Sequence, residues 1–139
     1  MVKLTAEMKE DIKSVGVLPL ATATKSGVPN VVPIAILEID DSDEKDDYIN
    51  IMNNFFLKTL NNIKENPLVA LYFWTPETIG CNQIKGEVVE ITAQGNVYED
   101  FAARVRPEKP DLPLKEVLRV KVTEVFDCQL GKEAGKKKL

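Results

Sequence analysis

Ile49-Asn-Ile-Met-Asn-Asn-Phe-Phe-Leu-Lys58-Thr59-Leu-Asn-Asn-Ile-Lys-Glu-Asn-Pro67 changes character twice along its length. Ile49 to Met52 reads as a β-strand, and the paired amides Asn53 and Asn54 close it. Lys58-Thr59 then opens a helical pattern with Leu57, Leu60 and Ile63 on one side, and Asn66-Pro67 stops it. A helix start offers unpaired N–H groups and the positive end of the dipole. A lysine and a hydroxyl placed there add a point charge and a donor, which together suit a phosphate monoester. The same two residues also serve as an ordinary helix start, and the Asn pair as a turn cap. Composition alone leaves both readings open.

Outward from this stretch, the chain reads as strands with short helices. Thr5 can cap a first helix with Leu4, Met8, Ile12 and Val15 on its apolar face. Val17 to Thr24 reads as a strand, Lys25-Ser-Gly27 as a turn, and Val28 to Ile39 as one long returning strand. Pro29 and Pro33 lack backbone donors and should sit at an edge, a bulge or a ligand-facing interruption. Tyr48 to Asn53 is a third strand. Leu68 to Trp74 is a fourth, apolar enough for burial on both faces. Cys81 to Ala93 alternates as a fifth, interrupted by Gly86.

Asn96-Val-Tyr-Glu99 resembles a helix start with a capping acid, and Val97, Phe101, Ala102 and Val105 form its stripe. Pro107 to Pro113 carries three prolines and should be an extended loop. The final strand lies within Leu114 to Phe126, alternating strictly from Leu118. Hairpin connections without a strand–helix–strand rhythm predict a mainly β fold, a six-stranded antiparallel barrel of Greek-key type with peripheral helices, spanning residues 1–139 as a single domain.

Charge and composition narrow the function classes. Lys+Arg of 18 against Asp+Glu of 22 gives a net charge of −4, which argues against nucleic acid or an anionic membrane as partner. The acidic block Asp40 to Asp47 and the basic Lys136-Lys-Lys138 read as solvated loop and terminus. Apolar runs are far shorter than the roughly 20 residues a membrane span needs. Cys81 and Cys128 show no CxxC spacing, so neither a disulfide framework nor a zinc site is expected, and a reducing cytoplasm fits. The chain has no histidine, which removes Ser/His/Asp and Cys/His triads, His–metal sites and imidazole bases. No Gly-x-Gly-x-x-Gly or Gly-x-x-x-x-Gly-Lys-Ser/Thr occurs.

The order of motifs resembles the FMN-binding split-barrel proteins, the superfamily of pyridoxamine 5'-phosphate oxidase. The resemblance rests on the hairpin Ala21-Thr-Ala-Thr-Lys-Ser-Gly-Val-Pro-Asn30, the strand Val31-Val-Pro-Ile34, the Asn53 to Pro67 segment, and Gln83-Ile-Lys-Gly86. It covers roughly residues 5 to 127. It implies a split barrel holding FMN non-covalently, in a groove at a two-fold homodimer interface. Lys58 and Thr59 then match the pair that grips the FMN phosphate. Val32, Pro33 and Ile34 lie where the second strand lines the isoalloxazine ring, and Asn53 and Asn54 where the third strand passes the ribityl chain and ring edge. Gln83 corresponds to a position that approaches the flavin from the fifth strand; Cys81 and Lys85 share its face by period two. Phe73 is expected in the core, and Trp74 and Phe56 at an interface or ring edge.

The extra C-terminal Arg and His residues that hold substrate phosphate in true pyridoxamine-phosphate oxidases have no counterpart here. The expected function is a redox flavoprotein, in which FMN does the electron or hydride chemistry. A flavin-storing protein without turnover and a deazaflavin-dependent reductase are the alternatives.

Overall fold

The structure is a computed structural model describing residues 1–139. Helix α1 (Ala6–Val15) begins where Thr5 Oγ1 accepts the Met8 N–H, and it ends at Gly16, whose φ of +79° suits glycine. Strands β1 (Leu18–Ala23) and β2 (Pro29–Ile34) form the expected hairpin around Gly27, at φ +93°.

The long second strand is in fact two. It breaks at Ala35-Ile36, and β3 (Leu37–Asp40) pairs with β4 (Tyr48–Asn53) rather than with β1. The chain there crosses from one half of the sheet to the other. Helix α2 (Lys58–Glu65), β5 (Leu68–Phe73), β6 (Asn82–Thr92), α3 (Asn96–Val105) and β7 (Glu116–Asp127) complete the fold. The result is seven antiparallel strands, not six, in the order β2-β1-β5-β6-β7-β4-β3, curled into a half-barrel with three helices. Pro29 and Pro33 lie on an edge strand, where a missing N–H removes little.

Inward residues Leu20, Ile49, Ile51, Ile84, Leu118, Val120 and Val122 are essentially fully buried, and Met8 and Ile12 of α1 join them. The long β6 and β7 can cross closely because of Gly86: a Cβ there would lie 2.5 Å from Val120 Cγ1 and 3.0 Å from the Lys121 carbonyl. The ladder shifts register at that point. A second, smaller cluster seats α3, with Phe101 and Ala102 against Met52, Leu114 and Val117. Gly95 precedes this helix, with no side-chain cap from Asn96 or Glu99. Residues after Pro107 fold into turns rather than an extended loop.

Two segments expected to be solvated are instead tied down. Asp46 Oδ1 accepts the Val2 N–H at 2.9 Å, and Asp47 Oδ2 accepts the Leu4 N–H at 2.8 Å. Asp47 is fully buried and faces the ammoniums of Lys3 and Lys9. These bonds fasten the N-terminal segment across the sheet, so the acidic block is structural. At the other terminus, Val125 N donates to the Leu139 carbonyl and Lys138 Nζ to Asn82 Oδ1. Asp40 is held at about 2: burial opposes its charge, but the hydroxyl and N–H of Ser42 and the Arg119 guanidinium outweigh it together.

Strand β5, expected to be buried on both faces, is buried on one only. Val69, Leu71 and Phe73 point inward, while Leu68, Tyr72 and Trp74 are exposed.

Candidate functional site

Beyond β4 the chain makes a turn that its own amides build. Asn53 Oδ1 accepts the Phe56 N–H at 2.9 Å and Asn53 Nδ2 donates to Glu116 Oε1. Asn54 Oδ1 accepts the Leu114 N–H at 2.9 Å. Asn53 is 1% exposed, so its side chain shapes the turn from within, whereas Asn54 also reaches a cavity. The bond to Leu114 has a second consequence. Leu114 sits at φ +45°, a left-handed conformation costly for leucine, and is held there by Asn54 on its N–H and Tyr98 Oη on its carbonyl. The turn and the segment after α3 are thereby locked to one another.

That locking forms the cavity, of about 500 Å³. One wall is β2 and its continuation, with Val32, Pro33, Ile34 and Ile36. Met52, Phe55 and Phe56 form the second, and Leu112 and Lys109 close it from the proline-rich loop. The lining is apolar apart from Asn54 and Lys109, a composition that suits a flat, largely hydrophobic ring. Lys109 and Leu112 were not anticipated from sequence. Three prolines mark the loop as ordered, but nothing local aims it at β2.

The start of α2 packs against the other end of β2. No side chain caps its N-terminus. Lys58 is exposed, and its ammonium has neither a hydrogen bond nor an ion pair within the chain. Thr59 is 2% exposed, and its Oγ1 accepts from Asn30 Nδ2 at 3.1 Å. Asn30 also donates to Thr22 Oγ1, to which Asn62 Nδ2 donates in turn. This network fixes α2 against β1 and β2 and leaves the Thr59 hydroxyl proton free to donate elsewhere.

Strand β2 connects the two ends. Asn30 touches Thr59 at the helix start, and Val32, two residues or about 7 Å further along the strand, lines the cavity. Of the sequence-derived candidates, Val32, Pro33, Ile34 and Asn54 line one cavity; Lys58 and Thr59 are not among its lining residues and connect to it through Asn30 of β2, and Asn53 braces the turn that carries Asn54.

Gln83 is elsewhere. It pairs with Tyr72 and Phe126, and by register it lies in a row with Pro33, Pro19 and Tyr72 on the outer face of the sheet. That face is unusually apolar: Val31 is 64% exposed, Trp74 50% and Tyr72 46%. Val32 and Pro33 border both the cavity and a second hollow on this face, which Val17, Pro19 and Tyr72 complete.

A curled antiparallel half-barrel with three peripheral helices places the chain among the small split barrels. The chain belongs to the pyridoxamine 5'-phosphate oxidase family, whose model matches residues 4–129. An uncharacterized protein of Methanocaldococcus jannaschii is 38% identical over 141 residues, covering 98% of this chain and 88% of that protein. Among solved structures, HupZ of Group A Streptococcus superposes with a TM-score of 0.76 at 25% identity, over 96% of this chain and 100% of that one. An FMN-binding protein of Syntrophomonas wolfei gives a TM-score of 0.76 at 17% identity, over 91% and 86% of the two chains. The same fold occurs in an F420 reductase and in the heme storage protein of Vibrio cholerae, with TM-scores of 0.66 and 0.60 and 17% identity each.

Proposed function

We propose that the protein binds FMN and acts as an oxidoreductase or electron-transfer flavoprotein. The observation that carries this is the continuity of β2, which joins the uncapped start of α2, with its free Lys58, to an apolar cavity of about 500 Å³. An anionic tail and a flat aromatic ring, separated by a short polar linker, match that layout. Lys58, the Thr59 hydroxyl and the first amides of α2 would hold the phosphate. Val32, Pro33 and Ile34 would face the ring, with Phe55, Phe56 and Leu112 excluding water from it. Bound FMN supplies the one- or two-electron chemistry, and the protein needs no acid or base of its own to position it. That is consistent with a chain that has no histidine.

The exposed face of β2, β1 and β5 supports a homodimer. A second copy seated on Val31, Tyr72 and Trp74 would cover that apolar surface, and its Gln83 row would adjoin the rim that Val32 and Pro33 share. A cytoplasmic location completes the reading. A heme has no imidazole to ligate it here. Flavin storage without turnover would use the same contacts, and a deazaflavin the same ring slot.

The test is a titration of ligand-free protein with FMN, riboflavin and a deazaflavin, read by flavin fluorescence. FMN should bind at least tenfold more tightly than riboflavin, because only FMN carries the phosphate that the α2 start receives. Equal affinity for the two, or no binding of either, would overturn the assignment. Bleaching of bound FMN by NADH or NADPH, with turnover onto an acceptor, separates an enzyme from a store.

A further inference from the structure

Cys81 and Cys128 are far apart in sequence and have no motif spacing, yet the sheet sets them side by side. Asn82 pairs with Asp127 at the end of the β6–β7 ladder, so the next pair outward is Cys81 with Cys128. The Cys128 N–H donates to the Cys81 carbonyl at 2.9 Å, which shows that the ladder continues through them. Directly opposed residues of a hydrogen-bonded antiparallel pair have Cα atoms ~5.5 Å apart. That separation lies inside the roughly 4.4–6.8 Å window of disulfides. Both residues are free thiols and half-buried, and their side chains share one face of the sheet.

We propose that Cys81 and Cys128 form a reversible cross-strand disulfide, a redox centre distinct from the cofactor cavity. The oxidant is a low-molecular-weight disulfide such as oxidised glutathione. One thiolate attacks it and releases one reduced thiol, and the second cysteine displaces the other from the mixed disulfide. One S–S bond forms in the protein, one is broken in the oxidant, and two electrons and two protons leave with the two released thiols. Burial first, and then the neighbouring Cys81, push the Cys128 thiol up to about 12. Each step needs a thiolate, so the exchange quickens as pH rises.

The bond would close where the C-terminal segment docks. Asp127 N donates to the Lys136 carbonyl, Gly135 N to the Asp127 carbonyl, and Lys138 Nζ to Asn82 Oδ1. Asn82 and Asp127 flank the cysteine pair, so the disulfide would stiffen the platform that carries residues 135–139. The only tryptophan provides a reporter. Phe73 pairs with Asn82, which places Trp74 one step beyond, in the row of Cys81 and Cys128.

The experiment equilibrates the full-length protein in glutathione buffers of increasing oxidation, quenches with an alkylating agent and reads intact mass and a non-reducing peptide map. Both thiols should disappear together. A single peptide pair linked through Cys81 and Cys128 should appear, Trp74 emission should change, and dithiothreitol should reverse all three. In Cys128→Ser the mixed glutathione adduct should accumulate on Cys81, and the linked pair should be lost. Alkylation of both cysteines at the most oxidising ratio, or separate glutathione adducts on each in the parent protein, would overturn the proposal. The parent measurement decides even if a serine variant folds poorly.

Discussion

Strand β4 is flanked by two turns that treat charge in opposite ways. Before it, in the Asp40–Asp47 loop, carboxylates have partners: Asp40 meets Arg119 and Ser42, Asp41 meets Lys9, and Asp46 and Asp47 hold the N-terminal backbone. After it, in the Asn53–Thr59 turn, the amides are engaged but the Lys58 ammonium is not, and neither is that of Lys109 across the cavity. Charge that the fold uses is paired within the chain. The Lys58 and Lys109 ammoniums stand free, the first at the α2 start and the second on the cavity wall. The distinction sorts two equally polar stretches of one sequence into clamp and site, and mutations should separate them cleanly.

The largest effect is expected at the clamp. Asp47→Ala removes a fully buried carboxylate, leaves the Leu4 N–H without its acceptor and takes one carboxylate from Lys3 and from Lys9, which keep their contacts to Asp41. Stability should fall by about 3 kcal/mol in urea unfolding, with FMN affinity of the folded fraction unchanged. A loss of FMN binding in the folded protein would show that the clamp is not separate from the site.

The converse change is Lys58→Ala. No contact within the chain is lost, so urea stability should stay within about 0.5 kcal/mol of the parent. FMN affinity should drop by about 2 kcal/mol, or roughly thirtyfold, and riboflavin affinity should not move. An unchanged FMN affinity would place the phosphate elsewhere.

Acid sharpens the same contrast. The Asp40 carboxyl lies at about 2 in the fold against the usual 3.8. A group depressed in the folded state stabilises it above the unfolded value, and that contribution is lost as pH falls through the folded one. Stability should therefore decline between about pH 4 and pH 2, with Asp40 contributing about 1–2 kcal/mol of the loss after allowance for its partial exposure. Asp40→Asn should flatten that part of the profile in thermal melts taken across this range.

How much of this was legible beforehand depends on the range of the interactions. Strand β4, helix α2 and strand β7 follow from local periodicity, and the edge position of β2 follows from two prolines. The break at Ala35-Ile36 is not local, because those residues are as apolar as their neighbours and only the different partners of β2 and β3 impose it. The burial of Asp46 and Asp47 depends on backbone donors more than forty residues away. Leu68 to Trp74 misled because an exposed apolar face reads like a buried one. Within the site, Lys58-Thr59 and Val32 to Ile34 carry signatures of their own. Lys109 does not, since its loop is aimed by the bond between Leu114 and Asn54, 60 residues apart in the chain.

Lys109 gives the smallest predicted effect and the finest test. It is exposed and lines the apolar cavity together with Val32, Phe56 and Leu112. A solvent-exposed charge of this kind contributes under about 1 kcal/mol, so Lys109→Ala should weaken FMN by less than about fivefold. Its position predicts which part of the ligand notices. If Lys109 meets the ring, FMN and riboflavin should lose affinity by the same factor, and the FMN-to-riboflavin ratio should hold at the parent value. If the ratio falls instead, as expected for Lys58→Ala, Lys109 shares the phosphate and the cavity holds the ligand in the reverse orientation. The two single variants and the double variant, titrated with both flavins, therefore read out the direction of the bound molecule along β2.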